Sequence, residues 1–354
     1  MARLDEIFDL QMGKTPSRNN ADYWTDGQYD WVSIADLGSY QKYVEDTKER
    51  ISALAVQESG IKSVPANTVI MSFKLSLGKT AITQEPVYTN EAIMAFIPTE
   101  KYAVLPDYFY YLFSAKDWTK GTNRAVMGTT LNKATLGAVS ITVPPIDEQR
   151  KIAAILDKVS DLIAKRRQQL DKLDEMVKAR FVEIFGEPDE NPKHWQEDEL
   201  SHHLKVIGGY AFKSDGFTDE GIPVLRIGNI NSGHFLPVNM VYWPDDLALA
   251  RYKVFPGDLV MSLTGTVGKD DYGNVCILGA DYDEYYLNQR NAKLSIERSL
   301  NKCYFSELLK FPRIKKRLTG ISRGIRQANI SNKDIMPESL ATHPLACSFA
   351  RSLS

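Results

Sequence analysis

No run of 18 apolar residues occurs anywhere in the 354-residue chain, and its start, "MARLDEIFDLQMGKTPS", has no apolar stretch flanked by basic residues. Neither a membrane span nor an export signal is expected. Cysteine is scarce: Cys276, Cys303 and Cys347 are odd in number, scattered, and form no C-x-x-C pair. That pattern excludes a disulfide framework and a zinc site, and it fits a reducing cytoplasm. The five histidines include the adjacent pair His202 and His203, which on a helix would diverge by about 100 degrees and so could not chelate one metal together. No metal-ligand set is expected. The Gly-Lys pairs at Gly13, Gly78 and Gly268 lack the earlier glycine that a phosphate-cradling loop needs. No Asn-Pro-Pro-aromatic motif for base methylation is present either, so no catalytic residue is assigned. Excess charge is missing as well: a net charge of -2 and a pI near 6.3 give no global sign of polyanion binding, and any such site has to be a local cluster.

What the chain does have is a rod. From Asp147 to Phe185 there is neither glycine nor proline, a stretch that would make a helix of roughly 58 Å at about 1.5 Å per residue. Pro144 and Pro145 stop what precedes it, Asp147 places negative charge at its start, and Gly186 with Pro188 ends it. Apolar residues recur at Ile152, Ile155, Val159, Leu162, Leu170, Leu173, Val177, Phe181 and Ile184, in steps of three and four apart from a break around Arg166. Such spacing predicts a coiled-coil seam. A rod of this length suits a spacer better than a helix packed on one core.

The flanking segments repeat each other. "VPANTVIMSFKLSLGK" from Val64 aligns without a gap on "VFPGDLVMSLTGTVGK" from Val254, and four further segments match in the same order. "RLDEIFDLQMGKTPS" from Arg3 parallels "ELSHHLKVIGGYAFK" from Glu199, and "WVSIADL" from Trp31 parallels "VLRIGNI" from Val224. "TNEAIMAFI" from Thr89 faces "LNQRNAKLSI" from Leu287 with one extra residue, and "GTTLNKATLGAVSI" from Gly128 resembles "GIRQANISNKDI" from Gly324. A duplicated domain of mixed α and β structure follows. "TVIMSF" and "DLVMSL" read as buried strands, "PDYFYYLFSAKDWT" and "NKCYFSELLKFPRIKKRL" as helices. The expected plan is a first module over residues 1–145, a spacer over 146–190, a second module over 191–335 and an irregular tail over 336–354.

One local charge cluster stands out. From Leu308 to Lys333 there is no acidic residue, while Lys310, Arg313, Lys315, Lys316, Arg317, Arg323, Arg326 and Lys333 supply eight cations. Phosphates are the natural partner of such a field, and the bland alternative is a solvated helix face. The glycine-bearing "GISRGIRQAN" offers Arg and Gln on a loop, where they could reach base edges. The DNA-contacting candidates are Arg323, Arg326, Gln327 and Asn329, with Arg226 and Lys269 lining the same side. In the first module they are Lys74, Lys79, Arg124 and Asn132.

These features resemble a known family. "PPIDEQRKIAAILDKVSDLI", with its proline pair, acidic residue and Glu148-Gln149 ahead of a long helix, is similar to the central region of the DNA specificity subunits of type I restriction-modification systems. "GIPVLRIGNI", "FPGDLVMSLTGTVGK" and "RQANISNKDI" resemble the body and end of that family's target-recognition domains, and the resemblance covers residues 1 to about 335. It implies two α/β (mixed α+β) target-recognition domains joined by a long coiled-coil-type helix, each reading one half of a bipartite site on double-stranded DNA. It also implies docking of methyltransferase (modification) subunits and restriction/motor subunits. S-adenosylmethionine, ATP and Mg would then sit on those partners, and this chain would bind no cofactor. The family normally adds a second proline pair and a second long helix, whereas this sequence ends "IMPESLATHPLACSFARSLS", which reads as a truncation. A second copy, a separate fragment or the modification subunit is therefore expected over the seam. The competing reading is a coiled-coil scaffold that binds proteins. Replacing Arg326 by Ala is expected to relax preference at the second half-site by roughly 1 to 3 kcal/mol, read by selection from a randomised duplex library.

Overall fold

The computed structural model describes residues 1–74, 76–118, 131–230, 232–266, 271–297, 300–320 and 327–341, and the backbone of Arg124–Ala125 and Gly128–Thr129; at 327, 332, 333 and 341 it describes the backbone alone. The chain divides into two compact units, Met1–Gln168 and Gln169–Ser354, with the boundary inside one continuous helix, Ile146–Phe185.

The first unit is built on a four-stranded antiparallel sheet in the order Phe8–Met12, Ile93–Pro98, Val69–Ser72, Thr80–Ile82. Every residue of Val69–Ser72 is buried, because both faces of the sheet are covered. Val69 and Met71 face Phe8, Phe96, Phe109 and Phe113 on one side, while Ile70 faces Val32, Leu37 and Ala81 on the other. Strand period two and burial on both faces together give the uninterrupted apolar run seen in the sequence. A second sheet pairs Glu49–Ile51 with Tyr29–Val32 antiparallel, and Tyr29–Val32 with Tyr88–Thr89 parallel. Ala2–Arg3 pairs with Ser140–Ile141 and ties the start of the unit to its end.

The second unit repeats the order of the main sheet. Its main sheet runs Leu204–Gly208, Asn291–Ile296, Leu259–Ser262, Val275–Ile277, in the same antiparallel order. Its second sheet again contains one parallel pair, Ile222–Leu225 with Tyr285–Leu287. Glu197–Glu199 closes on Ser339–Ala341. Met71 lies opposite Met94 and Met261 opposite Ala292, so Asn90 and Asn288 correspond without the extra residue expected from the sequence alignment.

The predicted helix over 301–318 is two helices, Lys302–Leu308 and Pro312–Thr319. Pro312 cannot donate to the preceding turn and instead opens a new helix at its first position. The basic run on the second helix divides by face: Arg313, Lys316 and Arg317 are exposed, Arg317 pairing with Glu338, whereas Lys315 is buried beside Ile314 and Leu318 and donates to Asn274 Oδ1 at 2.8 Å.

The long helix is held at both ends. Near its start Gln149 is fully buried: its Oε1 accepts from Leu105 N at 2.9 Å, and its amide donates to the carbonyls of Ala103 and Pro144 at 2.9 Å each. Ala153 and Asp157 continue that docked stripe at steps of four. At its end, carbonyls that no helical donor can reach are met by Lys193 Nζ, 2.5 Å from Ile184 O, and by the Trp195 indole, 2.8 Å from Phe185 O. Gly186 leaves the helix with φ +87, a left-handed turn that suits glycine. Residues 158–180 are all exposed.

Of the expected seam, Ile155, Val159, Leu162, Leu170, Leu173 and Val177 are exposed, joined by Ile163 and Met176, whereas Ile152 and Ile184 are half-buried. Phe181 is a correction. It stacks on Tyr304 at 5.2 Å and belongs to the core of the second unit, because the chain after Gly186 folds back over the last turns of the helix. Phe181→Ala should therefore cost about 3–5 kcal/mol in the unfolding transition of the second unit, read as a denaturant midpoint shift at constant slope. Leu170→Ala, on the exposed stretch, should stay within about 0.5 kcal/mol in the same measurement.

Candidate nucleic-acid interface

Each unit has one parallel strand pair, and the chain leaves both strands at the same end. In the second unit those exits are Arg226 and Asn288. Arg226 N donates to Asn229 Oδ1 at 2.9 Å, and the buried Asn229 amide donates at 3.0 Å to the carbonyls of Leu236 and Val238, pinning the returning segment. The Arg226 guanidinium donates to the Asn239 carbonyl. At the other exit Asn291, also buried, reaches Leu225 O at 2.8 Å, and Asn288 Oδ1 accepts from Arg290 N at 3.2 Å. Tyr210 N donates to Leu287 O and Gln289 N to Tyr210 O, at 2.8 and 2.9 Å. The strand before Tyr210 comes so close that a β-carbon on Gly209 would lie 2.2 Å from Asn288 O. These turns enclose a surface cavity of about 520 Å³ lined by Phe212, Arg226, Asn239, Asn288, Gln289 and Arg290. Gln289 and Arg290 are exposed at its rim.

A short ribbon adjoins the cavity. Leu263 N donates to Arg290 O and Ile330 N to Leu263 O, each at 2.8 Å, so the three segments form one row. Beyond them Thr264–Thr266 pairs antiparallel with Gln327–Asn329. Asp271 holds the turn, accepting from Thr266 N at 2.7 Å and Thr266 Oγ1 at 2.8 Å. Among the described residues, the buried Thr264 Oγ1 and Asn291 Oδ1 find no hydrogen-bond partner. A buried oxygen left in that state costs about 1–3 kcal/mol.

The first unit builds the same frame with other side chains. Ser33 N donates to Asp36 Oδ2 at 3.1 Å where Arg226 and Asn229 stand in the second, and Asn90 Oδ1 accepts from Ala92 N at 2.8 Å. Gly13 meets the carbonyls of Thr89 and Asn90 as Gly209 meets those of Leu287 and Asn288. Phe73 N donates to Ala92 O and Leu131 N to Phe73 O, the counterpart of the second unit's row. Ala92 stands where the second unit has Arg290, and Glu91 where it has Gln289. On the neighbouring loop Arg18 stacks 3.7 Å over Trp24 and pairs with Glu49.

The sequence-derived candidates fall in different places. Arg226 lines the cavity, and Gln327 and Asn329 lie on the ribbon, Asn329 exposed. Lys74 follows Phe73 at the edge of the first row, its Nζ 5.1 Å from the Phe73 ring. Lys79 is exposed, with its ammonium over Gly38, where a β-carbon would collide with it. Asn132 caps helix Lys133–Gly137 by accepting from Thr135 N at 2.8 Å. Arg124 is described by its backbone, paired with Thr129. Lys269, Arg323 and Arg326 lie outside the described residues. Sequence reasoning missed Asn239, Asn288, Gln289 and Arg290. The signal lay in the repeat itself, where Ala92 in one copy faces an arginine in the other.

His202 and His203 converge: both meet Asp198, at 2.7 and 3.1 Å, because the short turn Leu200–His202 ends between them and the 100-degree helical step does not apply. Among the described residues no group of three or more His, Cys, Asp or Glu is placed to hold a metal ion, and no helix is long and apolar enough to cross a membrane. Burial pushes the Cys276 thiol up to about 12, far from a reactive thiolate.

Residues 1–174 match the family model for the type I restriction modification DNA specificity domain. The specificity subunit of the type I restriction enzyme MjaIX from Methanocaldococcus jannaschii is 28% identical over 273 residues, which are 71% of this chain and 62% of that protein. The EcoR124I/EcoR124II specificity subunit of Escherichia coli is 31% identical over 168 residues, 45% of this chain and 40% of that one. The chain thus spans less than two thirds of the length of these relatives. The solved S subunit of a type I restriction-modification system from M. genitalium aligns over 97% of this chain and 85% of its own, at 14% identity and a TM-score of 0.48. Over residues 1–174, its first unit and most of the long helix, the chain is thus similar to the type I restriction modification DNA specificity domain.

Proposed function

We propose that this chain is a non-catalytic subunit that reads a bipartite sequence on double-stranded DNA, one half-site for each unit. Its long helix sets the gap between the halves and carries the docking sites for modification subunits. The observation that carries this reading is the pair of units with the same main-sheet order, whose corresponding strand exits differ in chemistry. Ser33, Glu91 and Ala92 in one stand where Arg226, Gln289 and Arg290 stand in the other, so one frame suits two base sequences. Arg and Gln reach guanine and adenine edges through paired hydrogen bonds, and linking two weak readers makes one strong, spacing-dependent contact.

On this reading S-adenosylmethionine, ATP and Mg belong to partner subunits, with a restriction/motor subunit joining for cleavage, and the setting is the cytoplasm. The exposed stripe from Ile155 to Val177 supports a helical partner. Burial of a large aliphatic side chain is worth about 1.5–3 kcal/mol, so eight of them together favour coverage by a second copy, a separate fragment or a modification subunit.

Selection from a randomised duplex library, with the chain alone and with modification subunits, is the test. The expected product is two short sequences at one fixed gap; binding without sequence preference would instead favour a protein-binding scaffold. Arg290→Ala should relax one position of the second half-site by roughly 1–3 kcal/mol and leave the first half-site intact.

A further inference from the structure

Away from both openings, the first unit has a charged joint on the long helix. Lys42 follows helix Ile34–Leu37, and its ammonium lies 2.6 Å from Asp107 Oδ1 on helix Pro106–Ala115 and 2.5 Å from Asp157 Oδ1 on the long helix. Three tyrosine rings surround it, with the centroids of Tyr43, Tyr110 and Tyr111 at 5.3, 5.9 and 5.2 Å from Nζ. Their hydroxyls are also committed. Tyr111 donates to Asp157 Oδ1 at 2.6 Å, Tyr43 to Asp107 Oδ1 at 3.1 Å, and Tyr110 to the Gln41 carbonyl. Burial acts to lower the Lys42 pKa, but the two carboxylates outweigh it and hold the ammonium above its ordinary range.

An ion pair of this kind is weak evidence for stability, since desolvation offsets much of its attraction. Its geometry matters more. Gln149 and the buried Ala153 seat only the first two turns of the helix. Asp157, eight residues beyond Gln149 and about 12 Å along the axis, supplies a second point, and two points fix a direction. An error there is amplified: a tilt of about 5 degrees moves the far end of the helix, about 42 Å beyond Asp157, by slightly more than the roughly 3.4 Å that separates successive base pairs.

We infer that Lys42 is a positioning residue, which bridges Asp107 and Asp157 to fix the direction of the long helix and, resting on the function proposed above, the gap between half-sites that the protein accepts. It contacts no base on this account, so its loss changes spacing and leaves sequence untouched.

The test uses the full chain with its modification subunits and two variants, Lys42→Met and Asp157→Asn, in selections from duplex libraries whose gap varies. Wild type returns a single gap. Each variant should return the same half-site sequences while gaps one base pair longer or shorter rise about 10-fold in enrichment. A second arm reads the joint alone. Spin labels at Glu85→Cys and Lys165→Cys, with the native cysteines replaced by alanine, should give a broader distance distribution in both variants. An unchanged gap in both variants, an altered half-site sequence, or lost binding without relaxed spacing overturns the inference, as does an unbroadened label distance. If wild type itself enriches no bipartite site, the proposed function falls, and the label arm still decides whether Lys42 fixes the helix.

Discussion

Where the long helix meets the first unit, backbone groups of Leu105, Ala103 and Pro144 are taken out of water, and one side chain, Gln149, satisfies all three. An amide is suited to this because it offers donors and an acceptor on one rigid plane, and an apolar residue there would leave each of those groups unpaired. The remaining docked residues of that end follow from this seat, since Ala153 and Asp157 come round on the same stripe. The other end is held by different physics: Phe181 and Phe185 pack against Tyr304, and the chain beyond Gly186 returns to cap the last carbonyls. Directional polar bonds hold one end and aromatic burial the other, while the stretch between stays exposed.

Within each unit a second constraint recurs. Two strands run parallel, and the backbone leaving them has to be satisfied by side chains, which Ser33, Asp36 and Asn90 do in one copy and Asn229, Asn288 and Asn291 in the other. These groups hold the turns. At two neighbouring positions Glu91 and Ala92 of the first unit give way to the exposed Gln289 and Arg290 of the second. One architecture thereby presents two different surfaces, as the proposed reading of two unlike half-sites requires.

Much of this was legible in the residues. The duplication, the buried strands at "VIMS" and "LVMS", the bounds of the long helix to within a residue and its exposed apolar stripe all follow from local pattern. Period-two burial, the lack of glycine and proline, and spacing by three and four are properties of short windows. The split of the 301–318 helix was legible too, since Pro312 marks it, yet helical spacing on both sides hid the break. In the basic run, counting cations leaves out their partners: Glu307 meets Lys310 one turn away, while Glu338 and Asn274 reach Arg317 and Lys315 from further along the chain.

The sequence by itself determined the repeated two-unit plan and the continuous helix, because both are written in local composition and self-similarity. Only the tertiary structure decided that Phe181 leaves the apolar stripe for a core, that Arg226 and Arg290 share one cavity, and that Lys42 sits between Asp107 and Asp157. Those outcomes depend on residues tens to over a hundred positions apart meeting across strand pairings and packed helices, and no window of sequence records which partners the fold brings together.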